Sequence, residues 1–315
     1  MVYTKIIGTG SYLPEKILTN ADLEKIVETS DEWITERTGI KERHILDSSQ
    51  VLSDMTEAAA KRAIEAAGIN KDEIDLIIVA TISSEFITPS AACILQQKLG
   101  IKSCPAFDIS AACTGFIYGL NIADLYIKSR TAKCILLVAS EALSKLTDWT
   151  DRSTCVLFGD GAGAVVLKAD NHPGLRSTYI CAESHHELLY AKSCLYVDNS
   201  KYIEMKGNEL FKLAVMKLSE SVQKVLDQNK ISSNEVDWLV PHQANLRIIT
   251  AMSKKLNMPM ERVILTIQEH GNTSAASVPL ALDVGIRDGR IKRGDTVLME
   301  AFGAGLTWGA ALIDY

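Results

Sequence analysis

Apolar runs long enough to be buried strands recur along this chain, interleaved with stretches of helical spacing, and the order of these elements occurs twice. EIDLIIVAT, from Glu73, matches EVDWLVPHQ, from Glu235, at an offset of 235 − 73 = 162 residues, and both read as buried strands. Each half continues with an amphipathic helix (SAACILQQKLG against NLRIITAMSKKLN) and a strand running into a small-residue turn (PAFDISAACTG against ILTIQEHGNTS). A long helix with a basic end follows, then a β-rich run (KCILLVAS against DTVLMEAF). A glycine-rich turn then leads into a last apolar strand (FGDGAGAVVL against FGAGLTWGAALI). A unit of this size can cover a sheet face of its own, so the repeat is a domain duplication and not a solenoid. Alternating strands and helices predict an α/β fold with largely parallel, helix-covered sheets. The Pro-Gly turn in ADNHPG, at Asp170–Pro173, divides the chain into halves 1–170 and 171–315.

Composition narrows the function. With 315 residues, 47% hydrophobic and 23% charged, the chain can bury a large core. A net charge of −6 without a basic arm argues against a nucleic-acid partner, and no apolar run approaches the length of a membrane span. The start lacks a charged segment leading into an apolar stretch, so export is not expected. The seven cysteines are scattered, with no CxxC pair, and read as reduced thiols of a cytoplasmic protein. His185 and His186 stand side by side in the irregular stretch 184–201, but no third ligand has a suitable spacing, and no metal centre is expected.

Three residues carry candidate chemistry. Cys113 precedes TGFIYGLNIADLYIKS, helical in pattern with Phe116, Ile117, Leu120 and Ile127 on one apolar face, so the thiol stands at a helix N-terminus, where free amides and the dipole favour thiolate. The internal alignment sets Cys113 opposite Asn272, at 272 − 113 = 159, and a pseudo-twofold would bring both turns to one place. His242, at the end of its strand, opens toward the same face, whereas His270 is expected to face away. A thiol nucleophile with two neutral hydrogen-bond donors points to acyl transfer. A papain-like protease shares the order Cys, His, Asn, but its signature around the nucleophile is absent and a duplicated βα chain is the wrong frame.

From end to end, through GTGSYLP, TSDEWITERTGI, PSAAC, PAFDISAACTGF, FGDGAGA, VPHQANLRI, HGNTSAASVP and AFGAGLTWG, the sequence resembles the thiolase-like condensing enzymes, specifically the β-ketoacyl-acyl-carrier-protein synthase III family. The resemblance implies a thiolase-like fold of two pseudo-symmetric halves in an α-β-α-β-α arrangement, the first half carrying Cys113 and the second His242 and Asn272. It implies an initiating enzyme of type II fatty acid synthesis, in which acyl-CoA acylates Cys113. His242 and Asn272 would hold the thioester carbonyl of malonyl-acyl carrier protein during decarboxylative condensation to a β-ketoacyl-acyl carrier protein. Acyl-CoA is then a substrate and no cofactor is expected. The alternative is a priming ketosynthase of a secondary-metabolite pathway. Thiolase proper has a second cysteine near its C-terminus, a role left vacant here, where the last cysteine is Cys194.

The same resemblance gives the oxyanion amides to Cys113 and Ala304 and a gating role to Phe302. Ala304 replaces a glycine common in the family, which excludes any geometry needing positive φ there. Coenzyme A contacts carry over to Thr29, Trp33, Arg37, Arg152 and Asn245. Thr29 and Glu32 read as a capping box, and Trp33 and Arg37, four apart, share a helix face. The acyl pocket would include Thr88, Leu143 and Phe158. Because acetyl-preferring members often place Phe, contributed across a dimer, where Thr88 stands, starters longer than acetyl are expected. Carrier-protein docking falls to Gln243, Ala244, Asn245, Leu246 and Arg247, with Lys212, Lys254 and Lys255. The glycines of FGDGAGA and AFGAG read as tight turns near the site, since neither has a phosphate-loop spacing. A homodimer is implied.

Overall fold

The computed structural model describes residues 2–193 and 202–315; Cys194 and the rest of the irregular stretch up to residue 201 lie outside the described residues. Two sheets form the frame. The first has the strand order Tyr3–Tyr12, Asp160–Asp170, Cys134–Ala142, Leu76–Ala80, Ala106–Ile109; the second runs Trp238–Pro241, Thr296–Gly303, Thr307–Asp314, Leu175–Ala182. All strands of the first sheet thus end at or before Asp170, and all of the second begin at or after Leu175.

The expectation of largely parallel sheets is corrected. Leu76–Ala80 runs parallel to both of its neighbours, and Trp238–Pro241 runs parallel to Thr296–Gly303, but the other four pairings are antiparallel. The cause is local: the last two strands of each half are joined without a crossover helix, and the short turn Ala304–Leu306 closes a hairpin.

Apolar residues on both faces of each sheet call for helices on both faces. Gly115–Lys128 and Ser277–Arg287 lie between the sheets, in a core that joins Phe116, Ile117 and Leu120 to Val278, Leu280 and Leu282. Leu52–Ala67 and Ala91–Leu99 cover the outer face of the first sheet, and Gly207–Asn229 and Leu246–Lys255 that of the second. Five layers result. Gly161 and Gly163 of FGDGAGA belong to strand Asp160–Asp170, which corrects their reading as a turn, and Gly159 stands just before it. A Cβ on Gly163 would come within 2.8 Å of both the Leu280 nitrogen and the Pro279 ring, so these glycines let a central helix lie directly on the sheet.

The repeat holds with one exception. The counterpart of strand Ala106–Ile109 in the second half contributes only a bridge from Val263 to Leu239, and the chain then turns into the short helix Ile267–His270.

Candidate active site

Cys113 lies in the single 3-10 turn Ala112–Thr114, between strand Ala106–Ile109 and helix Gly115–Lys128. The second half repeats this with the turn Ser274–Ala276 before helix Ser277–Arg287. Ala112 (φ 45°) and Ser274 (φ 50°) both adopt the left-handed conformation at the offset 274 − 112 = 162. The structural counterpart of Cys113 is therefore Ala275, and the alignment of Cys113 with Asn272 is three residues out. Asn272 instead occupies the extended approach to the turn, where it bridges the first half: its N–H donates to the Leu157 carbonyl at 2.9 Å and its carbonyl accepts from Gly159 at 3.0 Å. Arg43, fully buried, donates to the Val156 carbonyl at 2.8 Å and packs its Cβ beneath Gly159 and Gly271, which braces this junction.

The structure brings Cys113, His242, Asn272, Phe158 and Phe302 onto one cavity of about 660 Å³, which reaches the surface between Trp33, Arg37, Lys212 and Arg247. The Asn272 side-chain oxygen accepts from the Ser274 N–H at 2.9 Å, which turns its NH₂ to the other side as a donor. His242 follows strand Trp238–Pro241 and is held by its N–H on the Glu300 carbonyl at 2.8 Å and by its Nδ1, 2.6 Å from Ser277 Oγ. Burial pushes its pKa down to about 3, so the imidazole is neutral.

Cys113 behaves otherwise than expected. Burial raises its thiol to about 11, with the Glu141 carboxylate adding to the rise and the Ser274 hydroxyl opposing it, so desolvation outweighs the helix-end amides and the resting group is a thiol. Gly303 explains how the strand end reaches it: a Cβ there would stand 2.7 Å from the Cys113 nitrogen. Ala304 is not among the positive-φ residues, a role taken by Gly305 (φ 134°), so alanine is compatible with this turn.

Two buried acids escaped notice in the sequence. Burial lifts Glu141 to about 7 and Glu300 to about 8, and among the described residues no hydrogen-bond partner meets one oxygen of each. Their only signal was a single carboxylate inside an otherwise apolar strand. His270 is buried as well, with its pKa lowered to about 4 by burial, and it meets His44 edge-on outside the cavity wall.

At the cavity mouth, helix Asp31–Thr38 presents Trp33 and Arg37, and the Arg152 guanidinium lies 4.3 Å over the Trp33 ring. The cap of this helix is Ser30, which accepts from the Trp33 N–H at 3.1 Å, and not Thr29. Thr29 stands one residue too early, its hydroxyl buried, without a partner among the described residues and outside the cavity wall. Asn245 caps helix Leu246–Lys255 by accepting from the Arg247 N–H at 2.8 Å and donates to the Arg37 carbonyl at 3.1 Å, joining the two sides of the mouth.

Gln243 cannot dock a carrier protein. It is fully buried; its NH₂ donates to the carbonyls of Pro241 and Ile264, and its oxygen accepts from the N–H groups of Thr266 and Ile267. Ala244 lines the cavity, Leu246 packs over Gly39, and Arg247 and Lys212 are exposed beside Phe211. Lys254 and Lys255 are exposed on the last turn of that helix, away from the cavity wall. Of the acyl-pocket residues, Phe158 lines the cavity, Leu143 is buried in the same apolar cluster, and Thr88 is exposed outside it.

Comparison with known proteins fits this arrangement. The profile of 3-oxoacyl-[acyl-carrier-protein] synthase III matches residues 107–184, and that of its C-terminal part matches residues 226–315. Proteins named β-ketoacyl-[acyl-carrier-protein] synthase III, a synonym, are 55% identical in Thioalkalivibrio sulfidiphilus and 57% identical in Salmonella arizonae, each alignment covering 100% of both chains. This chain belongs to the β-ketoacyl-[acyl-carrier-protein] synthase III family. A synthase III is a condensing enzyme of the acyltransferase type that initiates fatty acid synthesis, and the five layers described above are its thiolase-like fold. The crystal structure of the Aquifex aeolicus synthase III superposes with a TM-score of 0.95 at 53% identity, over 99% of this chain and 100% of that one. The priming β-ketosynthase of the R1128 polyketide pathway also gives 0.95, but at 34% identity. The fold is thus shared by both branches, and the higher sequence identity favours synthase III over the secondary-metabolite alternative.

Proposed function

We propose that Cys113 is the acyl acceptor and that His242 and Asn272 are the electrophilic pair of the condensation. In the first half-reaction the sulfur attacks the carbonyl of acyl-CoA, the thioester bond to coenzyme A breaks, and coenzyme A leaves as a thiol, so the Cys113 proton passes to the departing sulfur. Backbone amides of Cys113 and Ala304, brought together by the close approach of Gly303, stabilise the tetrahedral oxygen. In the second, the malonyl carboxylate leaves as carbon dioxide and its electron pair forms an enolate at the thioester. The Asn272 NH₂ and the neutral His242 ring donate to that oxygen. The enolate carbon then bonds to the acyl carbon, Cys113 leaves as thiolate and regains a proton from solvent, and the product is a β-ketoacyl-acyl carrier protein.

At the mouth, adenine would stack on Trp33 beside Arg152, with Arg37 and Arg152 meeting phosphates. Arg247 and Lys212, two of the cations that line the opening, would receive an acidic carrier protein, with Lys254 and Lys255 extending that face. A homodimer is supported by strand Ala106–Ile109, which among the described residues ends its sheet with a neighbour on one side, and by Phe86 and Ile87, 55% and 77% exposed in the preceding loop. A second copy paired there would carry Thr88 toward its partner.

The observation on which this rests is the meeting of Cys113 from one half with His242 and Asn272 from the other on a single open cavity. Mixing the protein with acyl-CoA should add one acyl mass to Cys113. His242→Ala and Asn272→Ala should keep that acylation while losing malonyl decarboxylation. Acylation at another residue, or full decarboxylation by both variants, would refute the assignment.

A further inference from the structure

Ser277 opens the central helix Ser277–Arg287, 2% exposed, and its hydroxyl oxygen has two neighbours at hydrogen-bonding distance: His242 Nδ1 at 2.6 Å and the Gln243 N–H at 3.2 Å. The amide can only donate, so one lone pair of Ser277 Oγ is occupied. The bond to His242 then runs in one of two directions. If Nδ1 carried the hydrogen, the serine would accept twice, and its own O–H would need an acceptor; among the described residues none stands within hydrogen-bonding distance. A buried hydroxyl hydrogen without an acceptor bears its full desolvation cost. If the serine donates to Nδ1, every polar group at this junction is satisfied and the ring hydrogen resides on Nε2.

We infer that Ser277 is a positioning residue that fixes the Nε2–H tautomer of His242 and so makes the ring a hydrogen-bond donor toward the cavity. The inference deepens the functional reading above and rests on it in one respect, that His242 donates to the thioester oxygen. The logic is simple. A neutral imidazole offers one donor and one acceptor, and only the Nε2–H form can stabilise an oxygen that gains negative charge. The burial that keeps the ring neutral removes the imidazolium, which would donate from both nitrogens. Tautomer choice therefore decides whether the residue assists or opposes enolate formation. The neighbouring Gln243, held on four backbone groups, keeps its amide aimed at the serine and leaves the hydroxyl hydrogen for the histidine.

The direct test is ¹⁵N NMR of wild-type protein labelled at histidine. A one-bond hydrogen coupling at His242 Nε2, with Nδ1 unprotonated, is expected; a proton on Nδ1 overturns the inference whatever the kinetics show. The second test uses Ser277→Ala and Ser277→Thr. Ser277→Ala should lower kcat for malonyl decarboxylation about tenfold, as expected for a misaligned donor, with less than a threefold change in KM and in the rate of Cys113 acylation. Ser277→Thr, which keeps the hydroxyl, should restore most of the loss. Equal slowing of both half-reactions would mark a merely structural serine and overturn the assignment. The parent variant separates the two levels: loss of decarboxylation in His242→Ala together with an Nδ1 proton in the spectrum of the wild type refutes the Ser277 role alone, whereas normal decarboxylation by His242→Ala refutes the reading beneath it.

Discussion

Gly303→Ala tests the geometry of the nucleophile without touching its chemistry. The added Cβ would lie 2.7 Å from the Cys113 nitrogen, 3.0 Å from its Cβ and 3.3 Å from its Cα, against an ordinary contact of 3.4–4 Å. Relief requires a separation of at least 3.4 − 2.7 = 0.7 Å. Gly303 ends a strand paired with Thr307, its neighbours Phe302 and Ala301 are buried, and the movement therefore falls largely on the Cys113 turn. Overpacking of this size costs about 1–3 kcal/mol of stability. A displacement approaching 1 Å at the reacting atom slows reaction by roughly 10- to 100-fold. Urea unfolding gives the first quantity and the rate of acyl-mass gain on Cys113 the second. A variant with wild-type stability and wild-type acylation would refute the argument that this glycine sets the position of the sulfur.

Other expectations follow from the same contacts. Gln243→Ala leaves two carbonyls and two N–H groups buried without partners and should destabilise the protein by about 3 kcal/mol or more in urea. Arg247→Glu should raise the KM for malonyl-acyl carrier protein about tenfold, with stability changed by less than about 0.5 kcal/mol. Among acetyl-, butyryl- and isobutyryl-CoA, the longer starters should be accepted, and Thr88→Phe should shift turnover toward acetyl; strict acetyl preference of the wild type would refute the role given to Thr88. Stability against pH should show a plateau. His242 and His270, lowered from 6.5 to about 3 and about 4, bind fewer protons folded than unfolded, so stability falls as pH drops below 6.5. Glu141 and Glu300, raised from 4.5 to about 7 and about 8, bind more, so stability falls as pH rises above 4.5. The two slopes oppose each other between pH 4.5 and 6.5, and thermal midpoints should decline on both sides of that window.

The order of strands and helices was legible because each element carries its own apolar period, and duplication supplied a second copy to check it against. Strand direction was not, since a hairpin return and a crossover leave the same apolar run in the sequence. The pairing of Cys113 with Asn272 looked right because both sit in small-residue turns, but the left-handed residues Ala112 and Ser274 set the true register. Thr29 with Glu32 matched the capping-box pattern; only the backbone path shows that the Ser30 hydroxyl is the one that meets the helix amides. The ionisation of Cys113 was misjudged because a helix start can be read from sequence, whereas desolvation depends on which distant segments the fold places around it. Gln243 sits among residues that line the mouth, and nothing in its own letter reveals that the chain folds back over it.

The junction at Asn272 has a further consequence. Its backbone is held by hydrogen bonds to positions 157 and 159, which belong to the other copy of the repeated unit. Neither copy alone brings the three proposed residues together, since Cys113 comes from one and His242 and Asn272 from the other. Fusing the twins into one polypeptide fixes their stoichiometry and lets each lose what its sibling keeps. Two identical subunits would have to carry all three residues in every copy.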